Sequence, residues 1–155
     1  MEKAAELGAA VLQPLVCERL QGQQARGIER RRERWARKAA EAARQSGRGV
    51  VTEIGDALEF EDFLREPAAG LRLLASREDS RTLWQALEEI EEAPPSVVMA
   101  VGPAGGFTRR EREAAVGAGF RPVSLGPNTL RVETAAICLL AAVAFWLEAR
   151  AGQAT

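Results

Sequence analysis

Residues 96–136 read SVVMAVGPAGGFTRREREAAVGAGFRPVSLGPNTLRVETAA, and their pattern decides the fold. Ser96 to Val101 is an apolar run of strand length that ends in the glycine-rich Gly102-Pro103-Ala104-Gly105-Gly106. Thr108 followed by Glu111 has the spacing of a capping box, which opens a helix running through Ala118. Pro122 to Leu125 is a second short strand, Gly126 to Asn128 a turn, and Glu133 to Arg150 a terminal helix. Strands alternating with helices in this way predict an α/β layer fold with a mostly parallel sheet.

Upstream the same alternation continues. Glu2 to Ala10 has helical composition and stops at Gly8, and Val11 to Val16 reads as a short strand. Gln21 to Gly27 is a polar loop or frayed helix start, followed by an alanine- and arginine-rich helix from Ile28 to Ser46 that ends at Gly47. Val50 to Ile54 suggests a strand, Glu59 to Arg65 a short helix and Leu71 to Leu74 a buried strand. Arg81 to Glu92 reads as a helix closed by Pro94-Pro95. No repeat or low-complexity linker divides the 155 residues, so one domain, 1–155, is expected.

Composition narrows the chemistry. The chain has no histidine, which removes Ser-His-Asp and Cys-His catalysis and histidine metal sites. It has no tyrosine. Carboxylates, arginines, hydroxyls and main-chain amides remain, a set suited to an enzyme whose cofactor carries the reactive group. Cys17 and Cys138 lack metal or redox spacing, so a reducing cytoplasm is the natural setting. The net charge of −1 means that a nucleic-acid partner would have to meet a local basic face. Arg26 to Lys38 is the basic run on offer, spread over most faces of its helix, and a solvated surface explains it as well as RNA does. The apolar stretch Ala135 to Leu147 falls short of the ~20 residues that span a bilayer and reads as a buried helix, either within one protomer or between two.

Three strands end in turns that could converge, at Leu74-Ala75-Ser76, at Val101 to Gly106 and at Leu125 to Arg131. Ligands of open α/β sheets sit beyond such strand ends. GPAGG alone fits a tight turn as well as a ligand cradle, and it is neither a P-loop nor GxGxxG. Arg131 is more telling. It stands before the helix start, where the dipole offers a cation nothing, so it either meets an anion or pairs locally with Glu133.

VGPAGGFTRREREAAVGAGF and PVSLGPNTLRVETAA closely resemble the C-terminal signature of the RsmE family, the 16S ribosomal RNA uridine-N3 methyltransferases, which typically reads IGPEGGF…E…GF…VSLGPRILRTETA. Glu2 to Gly8 looks like that family's KATELG segment, and Pro14-Leu15 with Glu18-Arg19 like its PL…ER. Arg34-Trp35 and Glu41 to Arg48 resemble its ERW…EAAEQSGR.

The resemblance implies a SPOUT fold, in which the C-terminal segment is threaded into a trefoil knot. The general rule against threaded chains would have given an ordinary Rossmann-like topology. It implies S-adenosylmethionine as cofactor, no metal, and a homodimer built through the C-terminal helix. Carried over by motif, the cofactor pocket takes Leu74, Gly102, Pro103, Gly106, Leu125, Gly126 and Leu130. Arg131 and Glu133 become the catalytic pair, and Arg19, Arg34 and Arg48 the contacts to small-subunit ribosomal RNA. The family's N-terminal PUA-like RNA-binding domain and first strand would precede Met1. Ala104 stands where the family has Glu, and Asn128 where it has Arg. Two readings follow, an active methyltransferase or a dimeric remnant that binds cofactor or RNA without turnover. A Rossmann-like oxidoreductase is disfavoured by the missing GxGxxG.

Overall fold

The computed structural model describes residues 1–20, 22–67, 69–78 and 81–152, without the side chains of residues 22–26 and 29. Arg26 of the basic run lies outside that description. Strands β5 (Leu71–Ala75), β6 (Arg81–Thr82), β7 (Val97–Val101) and β8 (Arg121–Ser124) form one parallel sheet in the order β6-β8-β5-β7. The α/β expectation is met. The last strand in sequence sits inside the sheet, between β5 and β6.

Side-chain alternation assigns the two faces. Leu71 and Leu73 of β5, with Val123 of β8, are buried on one face against helices α4 (Leu83–Glu88) and α6 (Val132–Ala151) through Leu83, Leu87, Leu139, Val143 and Trp146. Leu74 and Ala100 point to the other face, where Phe60 of α3 (Phe60–Arg65) and Ala115 of α5 (Arg109–Gly117) close a second cluster with Phe107 and Phe120. Arg72 shares that face yet stays satisfied, with Nη1 donating to the Ala118 carbonyl at 2.9 Å and its guanidinium 5.4 Å from the Phe120 ring centroid.

Ahead of the sheet stand α1 (Glu2–Glu6), α2 (Gly22–Gln45) and four two-residue strands, β1 (Val11–Leu12), β2 (Leu15–Val16), β3 (Glu53–Ile54) and β4 (Leu58–Glu59). β1 pairs with β3 and β2 with β4, both parallel. Ala5, Ala39, Ala42 and Ile54 form their small core.

Three sequence expectations need correction. The strand expected over Val11 to Val16 is two pieces, because Pro14 has no N–H to carry a ladder through. The one expected over Val50 to Ile54 is only β3. The helix expected from Arg81 begins as strand β6. Thr82 is the extended N-cap of α4, its hydroxyl accepting from Gln85 N at 3.2 Å, and the helix ends at Glu88, well before the prolines. The segment before Ile28, expected as a loop or a frayed helix start, is helical from Gly22 and so follows the second alternative.

Helix α6 departs from expectation in another way. It runs for 20 residues, long and apolar enough by length and composition to cross a membrane, and 22% of its most apolar window is buried. Leu139, Val143 and Trp146 pack on the sheet as a core helix does, but Ile137, Cys138, Ala142 and Phe145 lie on the open side. Within one protomer the helix is not buried on most sides.

Candidate active site

The three strand ends do converge. Beyond Val101 the chain curls on itself, with Gly106 N donating to the Pro103 carbonyl at 2.8 Å and Gly105 and Gly106 at φ 90° and 70°. Gly102 is buried at the root of this curl, where an added Cβ would lie 2.9 Å from Phe107 N. Phe107 anchors the far end, stacked on Phe60 with ring centroids 4.7 Å apart. Thr108 and Glu111 form the capping box expected of them, and the buried Glu111 carboxylate also accepts from Glu18 N at 2.8 Å.

The second bend follows β8. Gly126 takes φ 119°, and Ser124 Oγ donates to the Gly126 carbonyl at 3.2 Å while accepting from its N–H at 3.3 Å. Arg131 is the N-cap of α6, in extended conformation and without a side-chain cap. Among the described residues its guanidinium forms no ion pair with Glu133, so the local pairing considered from sequence is not seen. Both side chains are exposed toward the space between the bends.

That space is a cleft of about 780 Å³, within the range of small-molecule sites. Of the residues expected to hold a cofactor, Gly102, Pro103, Gly106, Leu125, Gly126 and Leu130 line it, as do Arg131 and Glu133. Leu74 does not. It is fully buried in the second core, because the alternation of β5 turns it away from the strand end, and Ala75 and Ser76 form that wall instead. Ala104 and Asn128, where the sequence departs from the RsmE pattern, also face the cleft.

Of the three arginines expected to contact RNA, Arg19 reaches the rim, its Nη1 donating to the carbonyls of Gly105 and, at 3.4 Å, of Phe107. Arg34 and Arg48 are not among the residues lining the cleft. Arg34 is exposed on α2, and Arg48 Nη2 donates to the Gly8 carbonyl at 3.5 Å. Sequence reasoning missed Arg77, Glu78 and Arg112, all of which line the cleft. For Arg77 and Glu78 the signal was the strand end Leu74-Ala75-Ser76, but charged residues after a strand usually mean only a solvated loop, and Arg112 sits in a helix whose charges read as a solvated face.

The two cysteines differ. Burial pushes the Cys17 thiol up to about 12, with the charges of Glu111 and Glu59 adding to it, whereas Cys138 is exposed on α6. Alkylation at pH 8 should therefore spare Cys17 until the chain unfolds, as peptide mass spectrometry would show. Labelling of Cys17 in the folded protein would contradict this. An ordinary thiol ionises near pH 9, so the unfolded chain gains a charge there that the folded one resists. Stability is fully present below pH 9 and falls as pH rises from 9 toward 12.

The family model for the RNA methyltransferase domain matches residues 1–144. The chain belongs to this family. Curated relatives of this RNA methyltransferase domain include proteins called ribosomal RNA small subunit methyltransferase E. That of Synechocystis is 38% identical over 92% of this chain and 47% of its own length. That of Bacillus subtilis is 31% identical over 96% of this chain and 60% of its own. The chain thus spans about half to three-fifths of these relatives. A Legionella pneumophila protein described as a methyltransferase, solved with bound cofactor SAM, superposes with TM-score 0.81 at 34% identity, over 92% of this chain and 57% of that one. The ribosomal RNA small subunit methyltransferase E of Neisseria gonorrhoeae, solved bound to S-adenosyl methionine, gives 0.80 at 31% identity over the same shares.

Proposed function

We propose that this chain is the cofactor-binding, methyl-transferring part of a cytoplasmic enzyme that methylates N3 of a uridine in small-subunit ribosomal RNA, with S-adenosylmethionine as donor. The observation that carries the reading is the cleft. Two glycine bends present main-chain groups to it on one side, and an arginine with no ion-pair partner among the described residues stands at its mouth. The residues present fit the cofactor, since Gly106 and Gly126, where an added Cβ would meet nothing within 4 Å, leave room for a nucleoside to approach the backbone and Leu125 and Leu130 supply apolar walls.

The cofactor supplies a methyl group already activated by a sulfonium. In transfer the methyl–sulfur bond breaks, a methyl–N3 bond forms, and the N3 proton must leave. Arg131 stabilises the negative charge that develops on the uridine ring carbonyls, and Glu133, exposed in the first turn of α6, takes the proton. Holding nucleophile and methyl in line does the remaining work. The reading of a remnant without turnover is not favoured, because the glycine bends and both side chains of the pair are in place.

Three further parts belong to this proposal. The C-terminal segment is threaded as a trefoil knot, which the placement of β8 inside the sheet supports. The protein is a homodimer through α6, supported by the open stripe of Ile137, Cys138, Ala142 and Phe145, the last 65% exposed. Phe145→Glu should then halve the mass in sedimentation equilibrium while leaving the monomer folded. A wild-type chain that sediments as a monomer would remove the dimer.

RNA is met by Arg19 at the cleft rim and by Arg34 and Arg48 around α2. On α2, Arg32 turns to Asp56 at 2.8 Å and Lys38 to Glu2 at 2.9 Å. Arg30, Arg34, Arg37 and Arg44 are left exposed along the side opposite the buried Ile28, Ala39 and Ala42, and Arg31 is exposed beside them, so the basic residues spread beyond one stripe as expected from sequence.

The test is transfer of labelled methyl to small ribosomal subunits that lack the modification, followed by nucleoside analysis. The expected product is 3-methyluridine. Label in another nucleoside would overturn the N3 assignment, and no label at all would overturn the enzyme.

A further inference from the structure

The turn after β5 is tied to both cofactor bends through two adjacent side chains of opposite charge, Arg77 directly and Glu78 by way of Arg112 on α5. Ser76 roots the turn, its N–H donating to the Val123 carbonyl at 3.0 Å and its hydroxyl to the Glu78 carbonyl at 3.3 Å. From that root Arg77 Nη1 donates to the hydroxyl of Thr129, in the bend between Gly126 and Arg131. In the other direction the Glu78 carboxylate pairs with Arg112, whose Nη1 donates at 2.8 Å to the carbonyl of Phe107, the residue that ends the Gly102 to Gly106 curl. Arg112 is the better fixed of that pair, its side chain 19% exposed against 67% for Glu78.

We infer that Arg77 and Glu78 form a two-armed clasp that holds the two glycine bends at a set separation and so sets the affinity for the cofactor, which makes them positioning residues for the transfer reaction. The inference rests on the cofactor reading above. Its physical basis is preorganisation. The bends contain positive-φ glycines, and a ligand that must first order such segments loses affinity to the ordering cost. Charge-assisted ties that fix them beforehand remove that cost. Ala104 and Asn128 bring no charge to the same cleft, and the charged ties seen among the described residues between this turn and the bends are those of Arg77, Glu78 and Arg112.

The arm that can be tested most cleanly is Arg77–Thr129. Arg77→Ala, Arg77→Lys, Thr129→Val and the double variant Arg77→Ala/Thr129→Val would each be titrated with S-adenosylmethionine by calorimetry. Hydrogen exchange of the Gly126–Leu130 amides would be read on the same proteins without cofactor. Arg77→Ala and Thr129→Val should each weaken binding about three- to tenfold, and the double variant no further, since both remove one bond. Arg77→Lys should restore most of the loss, and KM for the cofactor should move more than kcat. Exchange at Gly126–Leu130 should quicken in every variant that loses the bond.

Additive losses, or unchanged affinity in variants of a wild type that binds, would overturn the clasp. A wild type that fails to bind would instead overturn the cofactor reading. In that case unaltered exchange in Arg77→Ala would also overturn the tie itself, and quickened exchange would uphold it as a structural bond between the bends.

Discussion

Arg131→Ala is expected to lower kcat for methyl transfer by about 10²–10³-fold, with affinity for S-adenosylmethionine within twofold of wild type. The reasoning starts from position. Arg131 caps α6 without using its side chain, and a cation at a helix N-terminus is disfavoured by the dipole. A guanidinium held there, lining the cleft and not paired with Glu133 among the described residues, is on the proposed reading the group that meets a charge arriving with the substrate. A donor aimed at developing negative charge acts on the transition state more than on the ground state. Steady-state kinetics with labelled cofactor, beside calorimetry, checks both halves. A variant with full kcat removes Arg131 from catalysis, and one with lost cofactor affinity makes it a binding residue.

Gly102→Ala is expected to act in the opposite sense, on binding before chemistry. Its new Cβ would lie 2.9 Å from Phe107 N and 3.0 Å from Gly106 C, both backbone atoms that no rotamer change can move. The curl must open, and with it the Gly106-to-Pro103 bond at 2.8 Å that closes it. Cofactor affinity should fall at least ~30-fold, about 2 kcal/mol. The fold should survive, because the core around Leu73 is untouched and in the Leu74 cluster only Phe107 adjoins the clash. Far-UV circular dichroism and urea unfolding establish the second point, and calorimetry the first. Wild-type affinity in Gly102→Ala would show that this curl does not touch the ligand.

Local signals were legible in the sequence and non-local ones were not. The Thr108–Glu111 capping box, the apolar run of β7 and the two glycine bends are each set by residues within a few positions of one another, and all appear where the pattern placed them. The insertion of β8 between β5 and β6 depends on pairings such as Ala75 with Val123, far apart in the chain, and no local pattern encodes it. Leu74 shows the difference on a single residue. The sequence puts it beside the strand end, but the two-residue period of β5 turns its side chain into the core. Arg77 is the converse case. Nothing near it in sequence marks its partner Thr129, fifty-two positions on, which only the meeting of three strand ends brings within reach.

The most direct measurement of the whole account is an amide-resolved NMR titration of the chain with S-adenosylmethionine. Saturable shifts of the Gly102, Gly105, Gly106, Gly126 and Leu130 amides, with the α2 amides unmoved, are the predicted result. Saturable binding that shifts other amides and leaves those five in place, or no binding at millimolar cofactor, would contradict it.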